Sequence, residues 1–359
     1  MKEIKSLRKA REKHFLNKDG TITAYLYDSD IHYLKDGVYE EIDNSIVNNK
    51  DKLVNTKNAF KSSFSKDVKN NNLVDIKDNN NNYLKLNLKE NKSNNTKLKY
   101  QNNEVTYNNI LDNIDFNYQV ESTKVKESII LKDKNNIPDY FDFIIDTNLN
   151  LSLTNNKVEV RDQNKNIFII DNSYMWDNNN NYNYNINYEL LRDNNSNILR
   201  LNLDKEWLKD ASYPVVIDPT IITKGEGKAY DAYICSNNNL SNKYLDMIKV
   251  GVDKENNIYR ALMKFNLPTI STGCEVIRAK AYILTHPTSY NRITEKLINP
   301  LIDVHELNSN WNESSVSWSN LNNKYNTRIE DYFYGNKTIR TESYEGNVHN
   351  IYSEYKECE

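Results

Sequence analysis

The chain has 359 residues, enough for two or three domains. Hydrophobic residues make up 38 %, below the ~45–50 % usual for globular domains, yet 26 Tyr, 9 Phe and 4 Trp are too many aromatics for a disordered chain. A net charge of -3 gives no bulk attraction to nucleic acid or anionic membrane, and no run approaches the ~18 apolar residues of a membrane span.

Residues 1–13 form a charged lead-in that reads as helical, with little apolar face and without the apolar core of a secretory signal peptide. Beyond it, period-2 alternation dominates. Leu84, Leu86 and Leu88 alternate with Lys85, Asn87 and Lys89; Tyr182, Tyr184, Ile186, Tyr188 and Leu190 alternate with Asn183, Asn185, Asn187 and Glu189. Leu199, Leu201 and Leu203 alternate with Arg200 and Asn202. Tyr259, Ala261, Met263, Phe265 and Leu267 alternate with Arg260, Lys264 and Asn266, Leu262 being the one apolar exception. Such runs predict half-buried antiparallel strands, hence an all-β fold with little helix. A short helix is expected at 204–210, with Asp204 as its N-cap. A boundary falls near residue 222, before the linker-like Lys224-Gly-Glu-Gly-Lys228. This gives a lead-in at 1–13, a β module at 14–222 and a second β domain at 223–359.

Only 8 Gly and 6 Pro punctuate the chain, while Asn fills roughly one position in six. Asn tolerates the left-handed backbone region best among non-glycine residues and closes turns with its side chain. The runs at 70–72, 79–82, 155–156, 178–181, 194–195 and 237–239 are therefore read as turns.

Catalytic chemistry finds little support in the residue pattern. Cys235, Cys274 and Cys358 are odd in number and at no metal spacing. His14, His32, His286, His305 and His349 lie in no paired ligand motif, and His32 and His305 read as hydrogen-bonded strand residues. No nucleophile elbow or phosphate-binding glycine loop occurs. The acidic pairs Glu40-Glu41 and Glu330-Asp331 place neighbours on opposite strand faces, so neither makes a facing acid–base couple. The expectation is a non-enzyme without a cofactor.

From about residue 228 the sequence resembles the DNRLRE domain family, a jelly-roll β-sandwich related to carbohydrate-binding modules. The residues that carry this are Tyr230-Asp-Ala-Tyr233, Tyr244-Leu245 through Val250-Gly251, and Arg260 followed by Met263-Lys-Phe-Asn-Leu-Pro268. Ile302-Asp-Val-His305, Trp311-Asn-Glu-Ser314 and Val316-Ser-Trp318 complete the match. The first part resembles the β-rich segment of wall-associated, WapA-like proteins, through Lys13-His-Phe-Leu-Asn-Lys-Asp-Gly20, Ile31-His-Tyr33, Glu40-Glu-Ile-Asp-Asn44, Val125-Lys-Glu127 and Ser212-Tyr-Pro-Val-Val-Ile-Asp-Pro219. The resemblance implies antiparallel β-sandwich or jelly-roll modules in an extracellular or wall-associated protein. The second domain is expected to lack its closing strands.

Stacking of aromatic rings on sugars makes Trp311, Tyr290 and Tyr282 the candidate ligand residues, with Arg260 as an anionic-sugar contact or a structural ion pair. Trp318 reads as core, and Trp311 as either a loop lid or a core plug. Asp231, Asp246 and Asp253 are the calcium candidates. The functional expectation is a non-catalytic surface module whose partner is a cell-wall or extracellular polysaccharide, or the remainder of a larger surface protein, with no nucleic-acid partner. The alternative is a structural N-terminal scaffold of a large polymorphic toxin or exported particle.

Overall fold

The computed structural model describes residues 1–237 except 28, 70–71, 91, 164, 180, 194–195 and 224–228. Further on it describes 248–265 except 254, 290–291, 296–297, and 301–334 except 313–314, 322 and 329–330. The fold is all-β, with antiparallel pairing between the strands and very little helix. Packing divides the chain into two units, Met1–Gly227 and Lys228–Glu359.

Two large sheets make the first unit. One has eight strands, in the order Asn187–Asp193, Ser196–Asn202, Tyr140–Thr147, Tyr83–Leu88, Val74–Asp78, Phe60–Ser65, Lys52–Asn55 and Val47–Asn49. The main path of the other runs Lys97–Gln101, Glu104–Leu111, Ile114–Val120, Lys124–Leu131, Ile221–Ile222, Lys165–Ile170, Lys157–Asp162 and Asn150–Thr154. Their inward faces share one hydrophobic core. Leu84, Leu86 and Leu88, with Leu199 and Leu201, enter it from the first sheet, as their alternation predicts. Across the core Phe116 meets Phe141 edge-on at 5.9 Å, and Phe64 meets Tyr118 at 5.5 Å. The arrangement is a β-sandwich. The buried Tyr107 hydroxyl has a partner, donating to the Ser65 carbonyl at 2.8 Å.

The helix at Lys205–Asp210 forms as expected, and the Asp204 side chain accepts from the Trp207 amide at 3.1 Å. Residues 1–13 differ from expectation. They contribute strand Lys2–Glu3, a 3-10 turn at Lys5–Leu7 and the start of strand Glu12–Leu16, which pairs Lys2 with Leu16 and Glu3 with Phe15. A helix here would have no apolar stripe to bury. The strand arrangement instead lets Arg8 clamp the Glu3 carboxylate through two bonds of 2.7 and 2.8 Å.

Asparagine does turn the chain. Asn81, Asn102, Asn109, Asn113, Asn136, Asn155, Asn156 and Asn256 all have positive φ. Asn155 and Asn156, with φ of 50° and 59°, form the two-residue loop of the hairpin that pairs Thr154 with Lys157. Two successive left-handed residues match the twist of the flanking strands. Asn155→Gly is expected to leave stability nearly unchanged, and Asn155→Val to cost about 1–2 kcal/mol, measured by chemical denaturation. A second device recurs three times among the described residues. Asp78, Asp177 and Asp253 each accept from the amides at i+2 and i+4 and from the Asn side chain at i+4, namely Asn82, Asn181 and Asn257. Each carboxylate closes a five-residue loop that glycine would otherwise have to turn.

In the second unit Ala229–Cys235 pairs with Ile258–Phe265, which also pairs with Gly251–Val252. Here the expected strand phase holds only in part, because both faces are partly covered and Tyr233 and Cys235 are buried on the expected one. Leu262, the apparent exception, is buried with Ala232, Ile234, Val316 and Leu321, while Tyr259, Ala261 and Met263 lie on the other face. Ala232 is the direct partner of Leu262, so the small core forms on that side. Leu301–Val304 pairs with Asp331–Tyr334. The closing strands expected to be missing concern residues 335–359, which lie outside the described residues.

Candidate functional site

Of the sequence-derived ligand residues, Arg260 and Trp311 are the ones whose side chains are described. Arg260 lies, as expected, on the face opposite Tyr259, Ala261 and Met263, but that face carries the core residue Leu262 rather than being wholly wet. Its guanidinium sits 4.8 Å from the Trp318 ring centre and 4.9 Å from that of Tyr325, an aromatic sandwich that fits a structural cation better than a sugar contact. Trp311 and Trp318 are both partly buried against the small core, Trp318 in the helical turn Trp318–Leu321 rather than in a strand. Tyr290 belongs to the short strand Tyr290–Asn291. Tyr282 and Asp246 lie outside the described residues.

Of the calcium candidates, Asp231 is exposed in strand Ala229–Cys235. Asp253 is engaged by its own loop. Its Oδ1 accepts from the amides of Glu255 and Asn257, and its Oδ2 from the Asn257 side chain at 2.9 Å and the Tyr259 hydroxyl at 3.0 Å. The Asn257 side-chain bond leads the effects that hold the Asp253 carboxyl down to about 2. Four donors organise this carboxylate as a turn anchor, a role equivalent to that of Asp78 and Asp177.

Three features of the first unit were not picked out from the sequence. The first is a row of aromatic rings. Trp176 stands across the strand pair from Tyr182, at 6.3 Å between centroids with planes 28° apart; Tyr184 continues the row at 6.4 Å and 13°, and Tyr174 lies within 5.5–6.2 Å of the other three. Tyr182 and Tyr184 are 45 % and 56 % exposed. The alternation had assigned both to the buried face along with Ile186 and Tyr188. Instead, Asn183 turns inward and donates to Asp204 Oδ2 at 3.0 Å, and the chain reverses phase before Ile186. The Asn run just before Tyr182 was the available signal that one continuous strand would not form.

The second is the fully buried carboxyl of Glu127, which accepts the Tyr118 hydroxyl at 2.7 Å. Burial pushes it up to about 8, the Tyr118 bond opposes the rise, and nearby Asp218 adds to it. Glu127 is therefore a neutral acid at pH 7. The buried Asp218 beside it is ionically paired with Lys126 at 2.8 Å.

The third lies at the N-terminal end, where Glu3, His32 and Glu41 bring one ligand atom each within 4.8 Å of one another. His32 and Glu41 are direct cross-strand partners in the pair His32–Lys35 and Val38–Glu41. His305 is the other described strand-end histidine expected to bond a backbone, and does so: its Nδ1 lies 2.9 Å from the Asn326 carbonyl.

No family model matches the chain, and no solved structure does. The chain is similar to a tRNA nuclease WapA of Bacillus subtilis strain 168, 26 % identical over 352 residues, covering 88 % of this chain and 15 % of that protein. A tRNA(Glu)-specific nuclease WapA of Bacillus subtilis subsp. natto is likewise 26 % identical, and a tRNA3(Ser)-specific nuclease WapA of Bacillus spizizenii 25 % identical, with the same coverage. These names overturn the expectation of a non-catalytic carbohydrate-binding module with no nucleic-acid partner, because the relatives are enzymes named for acting on tRNA. They also remove the ground for a polysaccharide partner, which had rested on the likeness to sugar-binding modules. The chain spans about 15 % of the length of the curated relatives it matches, and its similarity to WapA proteins extends over most of its own length.

Proposed function

We propose that this chain is a β-structured scaffold segment of a large WapA-like toxin whose action is the cleavage of tRNA. The observation that carries the reading is the alignment of 88 % of the chain with tRNA nucleases several times its length. The large two-sheet core supports the scaffold part, since such a sandwich holds its shape without a ligand. The C-terminal unit is read as a DNRLRE-type jelly roll, supported by pairing of the strand with Tyr230, Asp231 and Tyr233 to the strand with Arg260. We read the segment as lying at the cell surface or beyond it, as its likeness to wall-associated proteins implies.

The test uses the gene product that contains this chain, incubated with total tRNA and probed by northern blotting for individual tRNAs. Discrete cleavage of one or a few tRNAs is expected; intact tRNA at all enzyme concentrations overturns the nuclease reading. Protease shaving of living cells tests the placement separately. Peptides of this segment are expected in the shaved fraction, and their release only after lysis rejects the surface assignment.

A further inference from the structure

His32 is completely buried, yet only one of its ring nitrogens has a partner. Nδ1 lies 2.7 Å from the Lys9 carbonyl, so Nδ1 carries the proton and Nε2 presents its lone pair. Nε2 is buried without any hydrogen-bond partner. A polar atom left in this state costs stability unless something else binds it. The ring belongs to the trio of Glu3, His32 and Glu41, whose ligand atoms lie within 4.8 Å of one another, and His32 faces Glu41 directly across the strand pair.

We propose that Glu3, His32 and Glu41 form a binding site for a divalent transition-metal ion of the zinc class. One imidazole and two carboxylates are a ligand set for such an ion, with a further position open to water. The backbone carbonyl on Nδ1 is the support that metal-ligating histidines ordinarily have, because it fixes the tautomer and leaves the lone pair of the other nitrogen available. Glu3 and Glu41 have long side chains and are only partly buried or exposed, so they can close the remaining separation around an ion. Ca2+ and Mg2+ fit less well, since both prefer all-oxygen shells.

The cations already in the cluster set the competition. Arg8 donates to both oxygens of Glu3, while Arg8 and Lys13 both donate to Oε1 of Glu41. Glu41 Oε2 accepts neither. The ion would therefore exchange for part of the guanidinium contact, and its affinity is that of a site with a built-in competitor.

The experiment is calorimetric titration of Zn2+ into the chelator-stripped 359-residue chain, with Co2+ absorption as a report on ligand type. Saturable binding of one equivalent is expected, weakened at least tenfold by His32→Gln and by Glu41→Gln. Glu41 is exposed, so its variant keeps the test valid if His32→Gln disturbs folding. Glu40→Gln, on the opposite strand face, is expected to bind as the parent does. No saturable binding below millimolar concentration, or binding equally strong in the Glu41→Gln variant, overturns the proposal.

Discussion

Glu127→Gln is expected to stabilise the first unit by about 4 kcal/mol at pH 8 and by almost nothing at pH 4. The Glu127 carboxyl is fully buried, and burial raises it from 4.5 to about 8 in the folded chain. Between those values the folded chain binds a proton that the unfolded chain has released. Stability therefore falls as pH rises, by roughly 1.4 kcal/mol per pH unit. Below the unfolded value both states are protonated and the slope vanishes; above about 8 both are ionised and it vanishes again. Gln has the same shape and can still bond the Tyr118 hydroxyl, but it does not titrate. Glu90, raised chiefly by burial, adds a slope of the same sign. Asp43 and Asp253 are each held down to about 2, so their contributions are lost only at acid pH and leave this window clear. Urea unfolding at half-unit steps from pH 4 to 9 measures the effect. A variant whose slope parallels the parent chain's removes Glu127 as its source.

Phe116→Ala carries the second large effect. The ring is fully buried in strand Ile114–Val120, edge-on to Phe141 and 6.1 Å from Phe143 of the facing sheet. Removing it leaves a cavity between two sheets whose backbones are fixed by their ladders, at a cost of about 3–5 kcal/mol. For a unit of this size the melting temperature should drop by about 10 °C. Tyr100→Ala, at an exposed position of the edge strand Lys97–Gln101, serves as the control and should move it by no more than about 2 °C. Comparable shifts in the two variants would mean that the inter-sheet core does not dominate stability.

The sequence was most informative where one strand face was uniformly apolar. Leu84, Leu86 and Leu88 have only Lys and Asn between them, so their phase is set and the structure follows it. Ile258–Phe265 has apolar residues on both faces, and the choice falls to the neighbour that Ala232 supplies from another strand. Arg260 follows that choice, which is why its aromatic sandwich could not be read locally. Turns were legible because Asn carries its own mechanism in its side chain. The Glu3–His32–Glu41 group was not, since strand pairing gathers it from well-separated positions and neither residue type nor spacing marks it. The buried Glu127 sits in an ordinary alternating strand, and its burial comes from the packing of that strand face into the core, which the strand's own sequence does not mark.

The short strand Ile221–Ile222 pairs on one side with Lys124 and Val125 and on the other with Ile169 and Ile170. It is thus the piece that joins the two halves of the larger sheet, although it comes last in the unit's sequence. As the chain emerges from a ribosome or crosses a membrane N-terminus first, hairpins such as 104–120 can form early, from local contacts. The sheet itself cannot close until residue 222 is free. Up to that moment the unit remains an open assembly, with the backbone at 124–125 and at 169–170 unpaired along that seam. Closure of this unit is therefore timed by its own last strand.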